Sequence, residues 1–144
     1  MEDSALALEM IKSTGKLFFG MKPSHKPIIS FLNGEMFILD YLERKNGTVL
    51  PGELSSMMRD SSARTAIALR TLEQKGYIVR DIDKTDRRRV HVTITDEGRK
   101  LARDGREAGL MKMKLIIDEL GEEDAAEFIR ITARIIEITT SNDI

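Results

Sequence analysis

Apolar residues recur along this chain at helical spacing as far as Leu72, at strand spacing in two short runs, and at helical spacing again to the end. Leu6, Met10, Ile11, Leu17 and Phe18 share one face of a helix over roughly Ser4 to Phe19. The run Lys22-Pro23-Ser24-His25-Lys26-Pro27 breaks it, because a proline pushes its predecessor out of the α region. A second helix is expected from an N-cap at Asn33 through Met36, Phe37, Leu39, Tyr41 and Leu42, ending at Asn46-Gly47. Thr48-Val49-Leu50 reads as extended, and Pro51 suits the first turn of a short helix to Arg59 with Leu54 and Met58 inward. Ser61 or Ser62 then caps a longer helix to Lys75, with a buried stripe of Thr65, Ala68 or Leu69, and Leu72, and Gly76 as its left-handed terminator.

The period then changes. Tyr77-Ile78-Val79 and Val90-His91-Val92-Thr93-Ile94 read as strands around a polar tip, Asp81 to Arg89. Thr95 or Asp96 caps a long helix from about Asp96 to Leu120, and Gly121 breaks it. Glu122-Glu123-Asp124 opens a last helix with Ala125, Phe128, Ile129, Thr132, Ile135 and Ile136 on one face. The predicted fold is mainly α with a small antiparallel β-wing: a single domain over residues 1–144, with a winged helix-turn-helix at 34–95. The stripes at both chain ends exceed what a small winged module needs to cover itself. Residues 1–22 and 96–144 are therefore expected to form a helical dimerisation region, making the protein a homodimer.

Composition narrows the function classes. A chain of 144 residues, 41% hydrophobic and 33% charged, can bury a real core as one folded domain. Aromatics make up 5% and Trp is absent, so the core is expected to be aliphatic, with Met57, Met58, Met111 and Met113 as adaptable packing. No cysteine is present, which excludes a disulfide frame, a thiolate metal site and a thiol redox sensor. His25 and His91 are the two histidines and leave little material for zinc; His25 reads as a surface-loop residue and His91 as structural or solvent-facing. No cofactor or metal is expected. There is no glycine-rich phosphate loop, no HExxH and no GxSxG, so an enzyme is not expected. Acidic residues Glu2, Asp3 and Glu9 come early and no stretch of about 18 apolar residues occurs, so neither a signal peptide nor a membrane span is expected, and the location is expected to be cytoplasmic.

Net charge is −1, but its distribution is uneven. Residues 59–100 hold eleven Lys/Arg against seven Asp/Glu, whereas residues 118–144 hold two against eight. A basic segment beside an acidic remainder points to a polyanionic partner. Within it, the helix from Ser61 presents Ser62, Ala63, Arg64, Ala66, Ile67, Arg70 and Thr71 opposite its buried stripe, and Ser61 and Ser62 offer hydroxyls at its start. Small residues early let the backbone approach a major groove, Arg64 can pair with guanine, and Ala66 and Ile67 can meet thymine methyls. An ordinary amphipathic helix, with the serine only a cap and Ile67 buried, fits the same pattern. At the tip, Arg87, Arg88 and Arg89 repel one another unless a polyanion lies alongside, and arginine is favoured in a narrow minor groove. Asp86 is expected to orient a neighbouring guanidinium as wing support.

On Leu54-Ser55-Ser56, on Leu72-Glu73-Gln74-Lys75-Gly76-Tyr77-Ile78-Val79-Arg80, and above all on Asp83-Lys84-Thr85-Asp86-Arg87-Arg88 followed by Ile94-Thr95-Asp96-Glu97-Gly98, the chain resembles the MarR family of transcription regulators. The resemblance implies a sequence-specific, DNA-binding homodimer on a pseudo-palindromic double-stranded operator, with Arg88 in the minor groove and Asp86 holding it. It also implies a small-molecule effector, since many members are repressors released by a small aromatic or anionic ligand. Two departures stand out: Met58-Arg59-Asp60-Ser61 occupies a turn where the family usually has glycine, and Ala63, Ala66 and Ile67 replace more polar residues. The apolar face and the negative total charge leave open the alternative of a winged-helix protein–protein interaction module without specific DNA binding.

Overall fold

The computed structural model describes residues 2–20, 34–58 and 62–141. The expectations for His25, Asn33, Arg59, Asp60 and Ser61 lie outside them. The elements are α1 (Glu2–Phe19), α2 (Gly34–Lys45), α3 (Pro51–Met58), α4 (Ser62–Gln74), β1 (Ile78–Ile82), β2 (Val90–Ile94), α5 (Asp96–Leu120) and α6 (Glu122–Ser141). They fall into two compact units, Met1–Gly109 and Leu110–Ile144, and α5 begins in the first and ends in the second.

The first unit is built on one aliphatic core. Ile38, Leu39 and Leu42 of α2 meet Leu54 of α3, Leu69 and Leu72 of α4, Ile78 of β1, and Val92 and Ile94 of β2. Ala102 of α5 closes it. Burying each of these branched side chains contributes about 1.5–3 kcal/mol, which is what holds α3 and α4 against α2. The stripe on α4 is Thr65, Leu69 and Leu72; Ala68 is half-buried.

β1 and β2 form an antiparallel hairpin in the register Ile78↔Ile94 through Ile82↔Val90. β1 therefore runs three residues beyond the expected Val79, because pairing continues to Ile82, and the wing tip contracts to residues 83–89. On the other side of β2, Val49 makes an isolated bridge with Val92, through amide–carbonyl bonds of 3.1 and 2.8 Å. This bridge ties the wing to the connection between α2 and α3.

Both chain reversals that position the wing rest on specific local chemistry. α4 ends in paired bonds, Tyr77 N–H to the Leu72 carbonyl and Gly76 N–H to the Glu73 carbonyl, both 3.0 Å, around Gly76 at φ +79°. A left-handed residue here favours glycine, and the pairing caps the last helical carbonyls. At the start of α5, Thr95 rather than Asp96 is the cap: its hydroxyl accepts the Gly98 N–H at 3.1 Å and donates to the Gly76 carbonyl at 2.7 Å. A Cβ on Gly98 would lie 2.2 Å from the Tyr77 carbonyl oxygen, so only glycine lets α5 start this close to the helix–strand junction.

In the second unit the end of α5 and α6 expose Leu110, Met111, Leu115, Phe128, Ile129 and Ile136, each more than half accessible, and α6 has no buried residue. The apolar residues of α1, Leu6, Leu8, Met10, Ile11 and Leu17, are likewise exposed. The reading of the methionines as core packing fails for three of four: Met57, Met111 and Met113 are exposed, and Met58 alone packs against the core. Met57 lies on the outward side of α3, while Met111 and Met113 belong to the apolar surface at the end of α5.

Candidate nucleic-acid interface

The residues opposite the buried stripe of α4 form a continuous exposed face. Ser62, Ala63, Arg64, Ala66, Ile67 and Arg70 are all exposed. Ile67 is 63% accessible, which overturns the option that it is buried. An exposed isoleucine between Arg64 and Arg70 gives this helix face an apolar contact flanked by cations. Thr71 is turned inward to its own helix, its hydroxyl donating to the Ile67 carbonyl at 3.0 Å.

The angle between α4 and the wing is held by a charged bracket. Glu73, near the end of α4, accepts from the Arg80 guanidinium at 2.8 Å and from the Arg80 backbone N–H at 3.2 Å. The guanidinium hydrogen bond holds the Glu73 carboxyl below its ordinary range. At the near end of α3, Glu53 accepts from the Tyr41 hydroxyl at 2.5 Å and pairs with Lys45 at 3.1 Å. Its carboxyl is held low by the tyrosine first and the lysine second. Glu53 also lines a groove with Pro51, Gly52, Arg88 and Arg89, so its charge is compensated where the wing meets the start of α3.

The wing tip is organised by Asp83. One carboxylate oxygen accepts from the Thr85 N–H at 2.8 Å, the Thr85 hydroxyl at 2.6 Å and the Asp86 N–H at 3.1 Å. The other meets His91 Nε2 at 2.8 Å, across the hairpin. The Thr85 hydroxyl, then His91, then the two amides hold the Asp83 carboxyl far below the usual carboxylate range. Backbone bonds from Asp83 N–H to the Arg89 carbonyl and from Arg89 N–H to the Asp86 carbonyl, 2.9 and 3.0 Å, close the loop.

Arg87, Arg88 and Arg89 all project from this loop, and the Arg88 side chain is 97% accessible. Asp86 holds Arg88 more closely through its backbone than through its guanidinium. Its Oδ1 accepts the Arg88 backbone N–H at 3.0 Å, while the guanidinium Nε stays 3.9 Å away. Asp86 shapes the turn, and the arginine head is left to solvent. Lys84 adds a fourth exposed cation.

Thus the structure brings Ser62, Ala63, Arg64, Ala66, Ile67 and Arg70 onto one helix face and Arg87, Arg88 and Arg89 onto the wing of the same unit. The sequence reading missed Asp83 and the His91 partnership. The Asp83-Lys84-Thr85 pattern, an Asx-turn signature, was the signal available for the first. Among the described residues no cluster of His, Asp or Glu could hold a metal ion, and no helix is long and apolar enough to cross a membrane.

The model of the winged helix DNA-binding domain family matches residues 35–112. An uncharacterized HTH-type transcriptional regulator, YwhA of Bacillus subtilis (strain 168), is 30% identical over 133 residues, 92% of this chain and 91% of that protein. Among solved structures, AbsC, a MarR family transcriptional regulator from Streptomyces coelicolor, superposes with a TM-score of 0.74 at 18% identity, covering 99% of this chain and 97% of its own. The S. aureus MepR–DNA complex gives 0.66 at 20% identity, with 96% and 97% covered. The chain belongs to the winged helix DNA-binding domain family, and its fold is that of the MarR regulators. It is a DNA-binding transcriptional regulator, a non-enzymatic class.

Proposed function

We propose that the protein binds a pseudo-palindromic operator as a homodimer, with α4 in the major groove and the wing arginines over the adjacent minor groove, and acts as a ligand-responsive repressor. The observation that carries this reading is the exposure of Arg87, Arg88 and Arg89 on a rigidly closed turn, in the same unit as an exposed α4 face. Ser62, Ala63 and Ala66 let the helix approach closely, and Arg64 and Arg70 supply long donors to base edges and phosphates. The MepR structure, of the same fold, is a complex with DNA, which supports DNA as the partner here. The uncovered stripes of α1, α6 and the end of α5 support the homodimer, since a monomer would leave them in water. Two recognition helices related by a two-fold axis read half-sites about one helical turn apart, which is why the operator is pseudo-palindromic. The ligand-responsive part is supported by an open surface groove lined by Gly34, Glu35, Met36, Arg64, Ile67, Ala68 and Thr71, where a small molecule would touch α4 and its Arg64.

The test is Arg88→Ala against wild type on one duplex across a salt series. Each lost phosphate-groove cation lowers the steepness of log K against log salt by about 0.9. Weaker binding with a shallower slope is expected; equal affinity and equal slope would remove Arg88 from the interface.

A further inference from the structure

We infer that His91 is a positioning residue for the wing: by donating from Nε2 to Asp83 it locks the carboxylate that builds the arginine turn. The inference rests on the reading of the wing as a DNA contact. Four cations, Lys84, Arg87, Arg88 and Arg89, crowd a loop of seven residues between Ile82 and Val90, and their repulsion favours an open, mobile loop. What opposes it is the Asp83 side chain, whose Oδ1 accepts from Thr85 twice and from Asp86. Those three bonds all lie on one oxygen and all come from the tip itself, so they move with the tip. Among the described residues, the His91 bond to Oδ2 is the side-chain hydrogen bond that ties Asp83 to the paired part of β2.

Strand geometry makes His91 suited to this. Val90, Val92 and Ile94 turn towards the core, so His91 and Thr93 lie on the opposite face of β2. In register His91 stands across from Asp81, two residues before Asp83, which puts Asp83 within reach of the imidazole beyond the pairing partner. The ring is about one-third accessible and lines a shallow groove with Thr48, Asp81, Lys84 and Thr93. Thr48 and Thr93 bond to each other at 3.2 Å, and the ring itself is fixed by its 2.8 Å bond to Asp83, which lines the same groove. With Nε2 donating, the imidazole fixes the plane of the carboxylate, and the carboxylate plane fixes the amides of Thr85 and Asp86. The arginines that follow are thereby presented without an ordering cost at the moment of binding.

His91→Leu and His91→Gln decide the matter. Both replacements are uncharged, but glutamine carries an N–H at nearly the reach of Nε2 and leucine does not. Hydrogen exchange at the Thr85 and Asp86 amides is expected to quicken about 3- to 10-fold in His91→Leu and to return towards wild type in His91→Gln. At low salt, where sequence-independent phosphate contacts suffice for binding, His91→Leu is expected to bind a mixed-sequence duplex of about 30 base pairs about 3- to 10-fold more weakly, and His91→Gln to restore binding. Unchanged exchange in His91→Leu, or equal defects in both variants, would overturn the positioning role while leaving the DNA reading intact. Failure of the wild-type protein to bind the duplex, with the exchange pattern as expected, would instead overturn the DNA reading and with it the purpose assigned to His91.

Discussion

Gly98 shows how much one residue type decides. The family resemblance marks Ile94-Thr95-Asp96-Glu97-Gly98 as a motif, but the reason for its glycine is visible only in three dimensions, where a Cβ would lie 2.2 Å from the Tyr77 carbonyl and 2.8 Å from Ile94 Cγ1. Neither obstacle is a flexible side-chain end, so Gly98→Ala is expected to cost about 1–3 kcal/mol, read as a lowered midpoint in thermal or urea unfolding. A wild-type midpoint would show that α5 can shift away without penalty. Glu43 gives a residue-scale test in pH. Arg106 at 2.7 Å first, and Arg103 at 2.9 Å second, hold its carboxyl below the ordinary 4.5. A depressed carboxyl stabilises the fold above its ordinary value, and that contribution is lost as pH falls through the lowered one. The stability gap between wild type and Glu43→Gln is therefore expected to be constant from pH 8 to about 5 and to shrink at lower pH. A gap that widens with acid would contradict it. The arginines of the tip were legible at this scale because three in a row demand an explanation. The Asp83–His91 bond was not, because eight residues of sequence separate partners that only the hairpin register brings together.

At the scale of elements, periodicity carried most of the fold. The change from helical to strand spacing after Gly76 located the wing, and α5 ran from Asp96 to Leu120 as expected because Thr95 and Gly121 punctuate it. Strand β1 was read too short because Asp81 lacks an apolar signature, although its backbone pairs with His91. Residue types suggest only an ion pair for Asp86, whereas the geometry adds a cap on the Arg88 amide at 3.0 Å to a loose pair with its guanidinium at 3.9 Å. For the recognition element the expected result concerns specificity. If Arg64 reads a base edge, Arg64→Ala lowers discrimination between the operator and single-base variants by about 1–3 kcal/mol at one position, measured by competition binding. Uniform weakening across all variants would make Arg64 a phosphate contact instead.

For the whole molecule, the expectation that residues 1–22 and 96–144 make a dimer came from stripes too apolar for one chain to cover. The exposure of Phe128, Ile129, Ile135 and Ile136 keeps that argument alive as a proposal. Ile135→Asp places a charge in the middle of this stripe, and sedimentation velocity is expected to show a shift from dimer to monomer, with operator affinity falling at least tenfold because avidity between half-sites is lost. A dimer unaffected by that charge would move the interface elsewhere. Total charge was a poor guide at this scale: a net −1 conceals the basic segment, and partition along the chain revealed what the sum hid.

The most direct measurement is a hydroxyl-radical and methylation footprint of the wild-type protein on the DNA upstream of its own gene. If α4 and the wing form one DNA-binding surface, major-groove guanines are protected in two half-sites about one helical turn apart, each flanked by protection of the neighbouring minor groove. Major-groove protection without the flanking minor-groove signal would detach the wing from DNA, and a uniform pattern on every duplex would contradict sequence-specific recognition by α4.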